Sequence, residues 1–238
     1  MKLILKFGGT SLASPKDINN VAKTIASFSK DNEIVVVCSA VDGVTDDLLL
    51  ISKMIEQRKK DDVTKALNKI IKKHRNLADQ TIKNSAIKKQ LIKKLDADIS
   101  ELQELIRGLT LLKEVSARSL DYLISFGERL SDDLVSYTLQ DLEKKSTALN
   151  GQEVGIITDS NFGESRPLMD TTRIRVSKTL GSLLSEKIIP VVGGFAGADQ
   201  HGNITTFGRG GSDYTATIIA SCINADEVWL MSDVDGLM

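Results

Sequence analysis

Five short stretches carry residue types suited to chemistry on a small charged molecule. The first, "KFGGTS" (residues 6–11), places a lysine after the apolar run Leu3-Ile4-Leu5, then two glycines and two hydroxyls. Glycines in that position let backbone N–H groups close on an anion, and Lys6 adds a compact positive charge beside Gly8 and Gly9. A tight turn would use only the glycines. The pattern is neither Walker A nor the dinucleotide G-x-G-x-x-G, so by itself it leaves turn and anion site both open. The second stretch, "TTFGRGGSDYTA" (205–216), surrounds Arg209 with Gly208, Gly210 and Gly211 and then opens a helix at Ser212 and Asp213. Ser212 can cap that helix. Arg209 fits an anion site at a helix N-terminus, gripping a carboxylate or phosphate through its planar fork.

The third stretch, "SFGERLS" (125–131), lies inside a helical pattern. Gly127 costs about 1 kcal/mol there relative to alanine, which a close approach by another segment would explain. Glu128 would then face that approach, or else pair with Arg129 on the surface. The fourth, "CSAVDGVTD" (38–46), sets Ser39, Gly43 and Thr45 just past the carboxyl end of a predicted strand, the edge where open α/β sheets bind ligands. The fifth, "WLMSDVDG" (229–236), puts Ser232 and Asp233 at the end of another strand. Other chemistries find little support. The sequence has no C-x-x-C and no H-E-x-x-H, and His74 and His201 adjoin no Ser or Cys nucleophile pattern.

These stretches need a scaffold, and the sequence predicts an α/β one. Residues 1–7 read as a buried strand. Ser14, Pro15 and Asp17 form a helix start, with Ile18, Val21, Ala22, Ile25 and Phe28 following at helical spacing. "EIVVVCSA" (33–40) is apolar without alternation, as suits a parallel strand covered on both faces. Residues 44–145 then run without proline, as several packed helices. One apolar stripe there joins Ile87, Leu91, Ile92, Leu95, Ile99, Leu102, Leu105, Ile106 and Leu109. Strands are predicted at 146–150, 153–159, 188–195 and 227–233, helices at 173–187 and 212–223, and a polar β-hairpin at 197–208. The chain stops in "SDVDGLM" with no closing helix, the pattern expected of the first part of a longer chain.

Composition narrows the class. The 238 residues are 41% hydrophobic and 26% charged with a formal net charge of −1, as in a globular protein that is no obvious polyanion binder. Residues 52–95 hold 14 Lys and Arg against four acids, yet contain no Phe, Tyr or Trp on which single-stranded bases could stack. Their lysines alternate with an apolar stripe, so a solvated helical face is expected and no nucleic-acid partner. Cys38 and Cys222 sit in apolar runs and read as buried thiols. The N-terminus lacks a signal-peptide pattern and no apolar run is long enough to span a membrane, so a cytoplasmic protein without a membrane partner is expected.

The five stretches, in this order and spacing over the whole chain, resemble the catalytic domain of aspartokinases, within the amino acid kinase superfamily. The resemblance implies a three-layer α/β/α sandwich around a mainly parallel sheet, one catalytic domain over residues 1–238 with a helical insertion at about 44–145, and no ACT regulatory domain in this chain. It implies phosphorylation of the L-aspartate side-chain carboxylate by ATP to 4-phospho-L-aspartate, the first step toward lysine, threonine and methionine. Lys6, Gly8 and Gly9 would contact ATP phosphates, Ser232 and Asp233 would lie beside the nucleotide, and Lys6 and Asp213 would serve catalysis. Ser39, Thr45, Glu128, Phe195, Arg209 and Ser212 would form the aspartate site, with Arg209 on a substrate carboxylate and Glu128 facing the amino group. Mg²⁺ would be held mainly by the ATP phosphates, with no protein metal site, and the full-length form would be a homo-oligomer. Two positions depart from the family's usual residues: Ser232 stands for Thr, and Met238 stands for Tyr.

Overall fold

A computed structural model describes residues 1–231; Ser232, Asp233 and the rest of "SDVDGLM" lie outside the described residues. Strand β1 (Lys2–Phe7), helix α1 (Pro15–Phe28) and strand β2 (Glu33–Cys38) form the opening unit, with β1 and β2 parallel. The start of α1 follows its chemistry. Pro15 occupies the first turn, and the Ser14 hydroxyl accepts a hydrogen bond from the Asp17 N–H (3.3 Å). Four helices follow: α2 (Val44–Glu56), α3 (Lys60–Thr81), α4 (Ser85–Leu112) and α5 (Ala117–Asp141). The chain then continues through β3 (Ser146–Leu149), α6 (Gly151–Val154), β4 (Ile157–Thr158), α7 (Met169–Ser185) and β5 (Ile189–Gly193). It closes with β6 (Ala196–Asp199), β7 (Ile204–Thr206), α8 (Gly211–Ile223) and β8 (Glu227–Met231).

The central sheet has the order β3-β5-β2-β1-β8, every pairing parallel. The inner strands β1, β2 and β5 bury both faces, which is why they lack alternation in sequence. Leu3, Leu5, Phe7, Val36 and Cys38 pack toward α1 and the four-helix segment, while Ile4, Val35, Val37 and Val192 pack toward α7 and α8. The result is an α/β/α sandwich.

In the four-helix segment the stripe on α4 buries Leu91, Leu95, Ile99, Leu102, Ile106 and Leu109, leaving Ile87, Ile92 and Leu105 partly covered. Several basic residues of the segment pair with acids, among them Lys69 with Asp47 (2.9 Å), Arg75 with Asp96 (2.8 Å) and Lys94 with Asp98 (2.8 Å). Both cysteines are free and buried. Among the described residues no helix is long and apolar enough to cross a membrane.

Three expectations are corrected. Residues 153–159 are not one strand. Asn150 and Glu153 make a reciprocal capping box that winds α6, Gly155 ends it at φ 102°, and only Ile157 and Thr158 are extended. That short strand belongs to a second sheet, β4-β6-β7. The hairpin formed by β6 and β7 is present but not polar in its setting. Residues of β6 are all buried, because the strand lies between β4 and β7 and packs against α6 and α8, while β7 packs against α5; a Thr158–Thr205 hydroxyl hydrogen bond (2.6 Å) closes the small sheet internally. Helix α7 also begins at Met169, ahead of the predicted 173.

Candidate active site

At the carboxyl ends of β1, β2 and β5 the chain leaves the sheet in three glycine-bearing turns, and a cavity of about 400 Å³ opens among them. Lys6, Gly9, Ser39, Thr45 and Glu128 line it. So do Phe195, Arg209, Ser212 and Asp213. Gly8 does not line it but stands beside it, its missing Cβ position 4.0 Å from Lys6 Nζ. Of the predicted site residues, only Ser232 and Asp233 cannot be placed, being outside the described residues.

The turn after β1 depends on its second glycine. A Cβ on Gly9 would stand 2.8 Å from the Ala40 carbonyl oxygen, so only glycine lets this turn pack against the turn after β2. The Asp42 N–H donates to the Gly9 carbonyl (3.2 Å) and locks the two together. Lys6, largely buried, pairs with the half-exposed Asp213 through Nζ and Oδ1 at 2.6 Å. Asp213 sits in the first turn of α8, where a carboxylate is also favoured by the helix N-terminus.

The side of the cavity around Phe195 and Arg209 rests on close backbone contacts. After β5, Gly194 lies against Ser212, its absent Cβ only 2.8 Å from the Ser212 Cβ. Phe195 takes the left-handed conformation (φ 71°), an arrangement costly for a non-glycine residue. It is held there because its N–H donates to Thr215 Oγ1 (2.9 Å) and its carbonyl accepts from the Phe207 N–H (2.9 Å). Gly210 precedes α8 at φ 77°, and Arg209 beside it is exposed and makes no ion pair among the described residues. Ser212 does not cap α8, since Gly210 occupies the N-cap position.

Glu128 supplies the floor, and the close approach expected at Gly127 is real. A Cβ on Gly127 would come within 2.8 Å of the Ala40 Cβ. Glu128 is buried, and its Oε1 accepts from the Ala40 N–H (3.1 Å) while Oε2 has no partner. Burial pushes this carboxyl up to about 8, against the lowering effect of the Ala40 N–H bond. The alternative Glu128–Arg129 surface pair does not form; Arg129 instead binds Asp98 (2.6 Å) and Glu101 (2.8 Å).

Three further residues shape the site and were not singled out from sequence. The Ser131 hydroxyl donates to the Ser39 carbonyl (2.7 Å), fixing the turn that presents Ser39. Asp132 lies under Gly193, where a Cβ would meet its Oδ2 at 2.7 Å, and burial together with the neighbouring Asp133 charge raises its carboxyl well above the usual range. Asp121, buried at the start of α5, binds the end of β7. The only sequence signal for the set is spacing: Asp121, Ser125, Glu128 and Asp132 place polar groups along one helical face of α5. Among the described residues no group of three or more His, Cys, Asp or Glu side chains could hold a metal ion.

The arrangement resembles proteins of known name. Over 238 residues the chain is 34% identical to chloroplastic aspartokinase 3 of Arabidopsis thaliana, covering 99% of this chain and 41% of that one. It is 30% identical to the aspartokinase of Corynebacterium glutamicum, again over 99% of this chain and 42% of the relative. The chain thus spans about two fifths of the length of these relatives. The crystal structure of E. coli aspartokinase III in complex with aspartate and ADP superposes with a TM-score of 0.88 at 25% identity, covering 99% of this chain and 50% of that one. The same enzyme in complex with lysine and aspartate gives 0.89 at 26% identity, with the same coverage. A profile described as the amino acid kinase family matches residues 1–238, and the chain belongs to that family.

Proposed function

We propose that this chain carries the catalytic site of an ATP-dependent kinase that phosphorylates the side-chain carboxylate of L-aspartate, giving 4-phospho-L-aspartate. The observation that carries the proposal is the joining, in one cavity, of a lysine beside a glycine turn, an exposed arginine without an ion pair among the described residues, and a buried glutamate. This set matches a dicarboxylic amino acid next to a nucleotide: Arg209 for a substrate carboxylate, Glu128 for the ammonium, Lys6 for phosphate. The solved relative's complex with aspartate and ADP supports the same pairing of ligands.

The chemistry needs no general base. A free aspartate side chain has a pKa of about 3.9, so the attacking carboxylate is already ionised near neutrality. What remains is alignment of carboxylate and γ-phosphate and neutralisation of their mutual repulsion. Lys6 and the backbone N–H groups at Gly8 and Gly9 would supply positive charge and donors on the phosphate side, with Asp213 holding the Lys6 ammonium in place. Ser39, Thr45, Phe195 and Ser212 would shape the aspartate side. Ser232 and Asp233 would complete the nucleotide side. Mg²⁺, bound mainly by the phosphates, would further offset their charge. The reading carries with it a role at the head of lysine, threonine and methionine synthesis and a homo-oligomeric full-length protein.

The test is coupled ADP release with L-aspartate, L-glutamate and N-acetylglutamate as acceptors. Turnover with aspartate alone is expected. Turnover only with another acceptor would move the substrate assignment within the family, and nucleotide and aspartate binding without turnover would make the domain a sensor. Arg209→Ala should lower kcat/KM for aspartate roughly tenfold to a hundredfold, the loss of charge-assisted hydrogen bonds. Unchanged kcat/KM would remove Arg209 from the site.

A further inference from the structure

The loop that presents Arg209 has no side chain of its own to stiffen it, because three of its four residues from Gly208 to Gly211 are glycine. Its rigidity must come from what precedes it. Thr206, at the end of β7, is held on both sides. Its N–H and hydroxyl both donate to the buried Asp121 carboxylate, to Oδ2 at 2.8 Å and to Oδ1 at 2.8 Å. Its carbonyl accepts from the Ser165 N–H and hydroxyl, each at 2.9 Å. The same Asp121 Oδ2 accepts from the Gly163 N–H (2.9 Å). Gly163 is the residue against which the Arg209 loop rests: a Cβ on Gly208 would stand 3.0 Å from the Gly163 carbonyl oxygen. One carboxylate therefore ties together the two strands of chain whose contact seats Gly208, the residue before Arg209. Asp121 makes no ion pair among the described residues; three hydrogen-bond donors hold it instead.

We infer that Asp121 is a positioning residue for the aspartate subsite, acting through Thr206 and Gly163 to hold the Arg209 loop at the distance a substrate carboxylate requires. This rests on the functional reading above for the identity of the substrate, and on geometry alone for the brace. It assigns a purpose to a buried carboxylate outside the reacting cavity. It also predicts a specific kinetic signature: binding of the acceptor suffers, while the nucleotide side, built on the turn after β1, does not.

The experiment compares the wild-type protein with Asp121→Ala, Asp121→Asn and Thr206→Val by two readouts, hydrogen exchange over residues 160–166 and 203–210 and steady-state kinetics. Loss of hydrogen bonds to a charged acceptor predicts that Asp121→Ala raises KM for aspartate by roughly tenfold to a hundredfold, with KM for ATP within about twofold. Exchange at Gly163 and Thr206 should speed up with it. Asp121→Asn can accept both amide bonds with its carbonyl and donate its amide to the Thr206 hydroxyl, so it should recover most of the aspartate affinity. Thr206→Val keeps both amide bonds and should cost at least about fivefold, the worth of one typical hydrogen bond, and less than Asp121→Ala. If Asp121→Ala does not fold, these two variants decide. Unchanged KM for aspartate despite faster exchange overturns the inference, as does an equal rise in both KM values or an Asn variant no better than Ala. A wild-type protein with no aspartate turnover removes the functional reading instead, and hydrogen exchange then still decides whether Asp121 is the brace.

Discussion

Glu128 offers a direct link between burial and substrate use. Its carboxyl is pushed up to about 8 by burial, so the empty site holds a proton at neutral pH. A substrate ammonium needs the carboxylate, so binding must expel that proton. Only the ionised fraction is competent, roughly one site in ten at pH 7 and one in a hundred at pH 6, and apparent affinity scales with that fraction. KM for aspartate should therefore fall about tenfold per unit from pH 6 toward pH 8 and level off beyond. Lys6, Cys38 and Asp132 lie around the same carboxyl, and Glu128→Gln leaves all three in place. Glutamine can also keep the bond from the Ala40 N–H, so the turn after β2 stays where it is. The assay is KM for aspartate at saturating ATP from pH 6 to 8.5. The wild type should show a slope near −1 in log KM, and Glu128→Gln a flat line at a higher KM. A Gln variant that keeps the slope, or a wild type without one, would refute the reasoning. Stability gives a second check. A carboxyl whose pKa is raised on folding binds its proton more tightly in the native state, so native stability falls as pH rises from about 4.3 to about 8. Glu128→Gln should remove that loss, measured as the urea midpoint at pH 5 and pH 8.

Other expectations follow from neighbouring geometry. Gly127→Ala would drive a Cβ to 2.8 Å from that of Ala40 and should destabilise by about 1–3 kcal/mol, whereas Gly108, a helical glycine with nothing within 4 Å, should gain about 0.5–1 kcal/mol as alanine; thermal unfolding of both checks the contrast. His74 is buried with Nε2 unpartnered, and burial lowers it to about 4. Its proton is favoured by the unfolded chain, so stability should fall by about 2–3 kcal/mol between pH 7 and pH 4.5, and His74→Met should lose less in the same denaturant titration.

Much of this scaffold was legible in sequence because the relevant forces are local. The start of α1 is written in Ser14, Pro15 and Asp17, and the unbroken apolar runs of β1 and β2 announce strands covered on both faces. Residues 153–159 were misread because Val154, Ile156 and Ile157 form an apolar run that suits a strand. The deciding signal was the Asn150–Glu153 capping box, which winds the chain through Val154, the first residue of that run. The hairpin was misjudged as polar because its strands look short and hydrophilic alone. Their burial comes from elements outside the hairpin, α6 and α8 against β6 and α5 against β7, as in the 85-residue separation of Thr206 and Asp121.

The site divides along the same line. Glycine-flanked Arg209 and helical Gly127 were visible because each carries a local cost that demands a reason. Asp121, Ser131 and Asp132 carry no such cost in sequence; a polar residue in a long helix looks solvent-facing until its partners are known. What brings them to the site is that α5 passes under three turns at once. It meets the turn after β2 through Gly127, Glu128 and Ser131, the end of β5 through Asp132, and the end of β7 through Asp121. Arg129, on a flanking face of the same helix, is clamped by Asp98 and Glu101 of α4, which restrains how α5 is rotated and so where Glu128 points. The four-helix segment is therefore not an appendage to the sheet. It sets the height of the cavity floor, and a change on α4 that released Arg129 would reach the cavity, the proposed aspartate site, through the rotation of one helix.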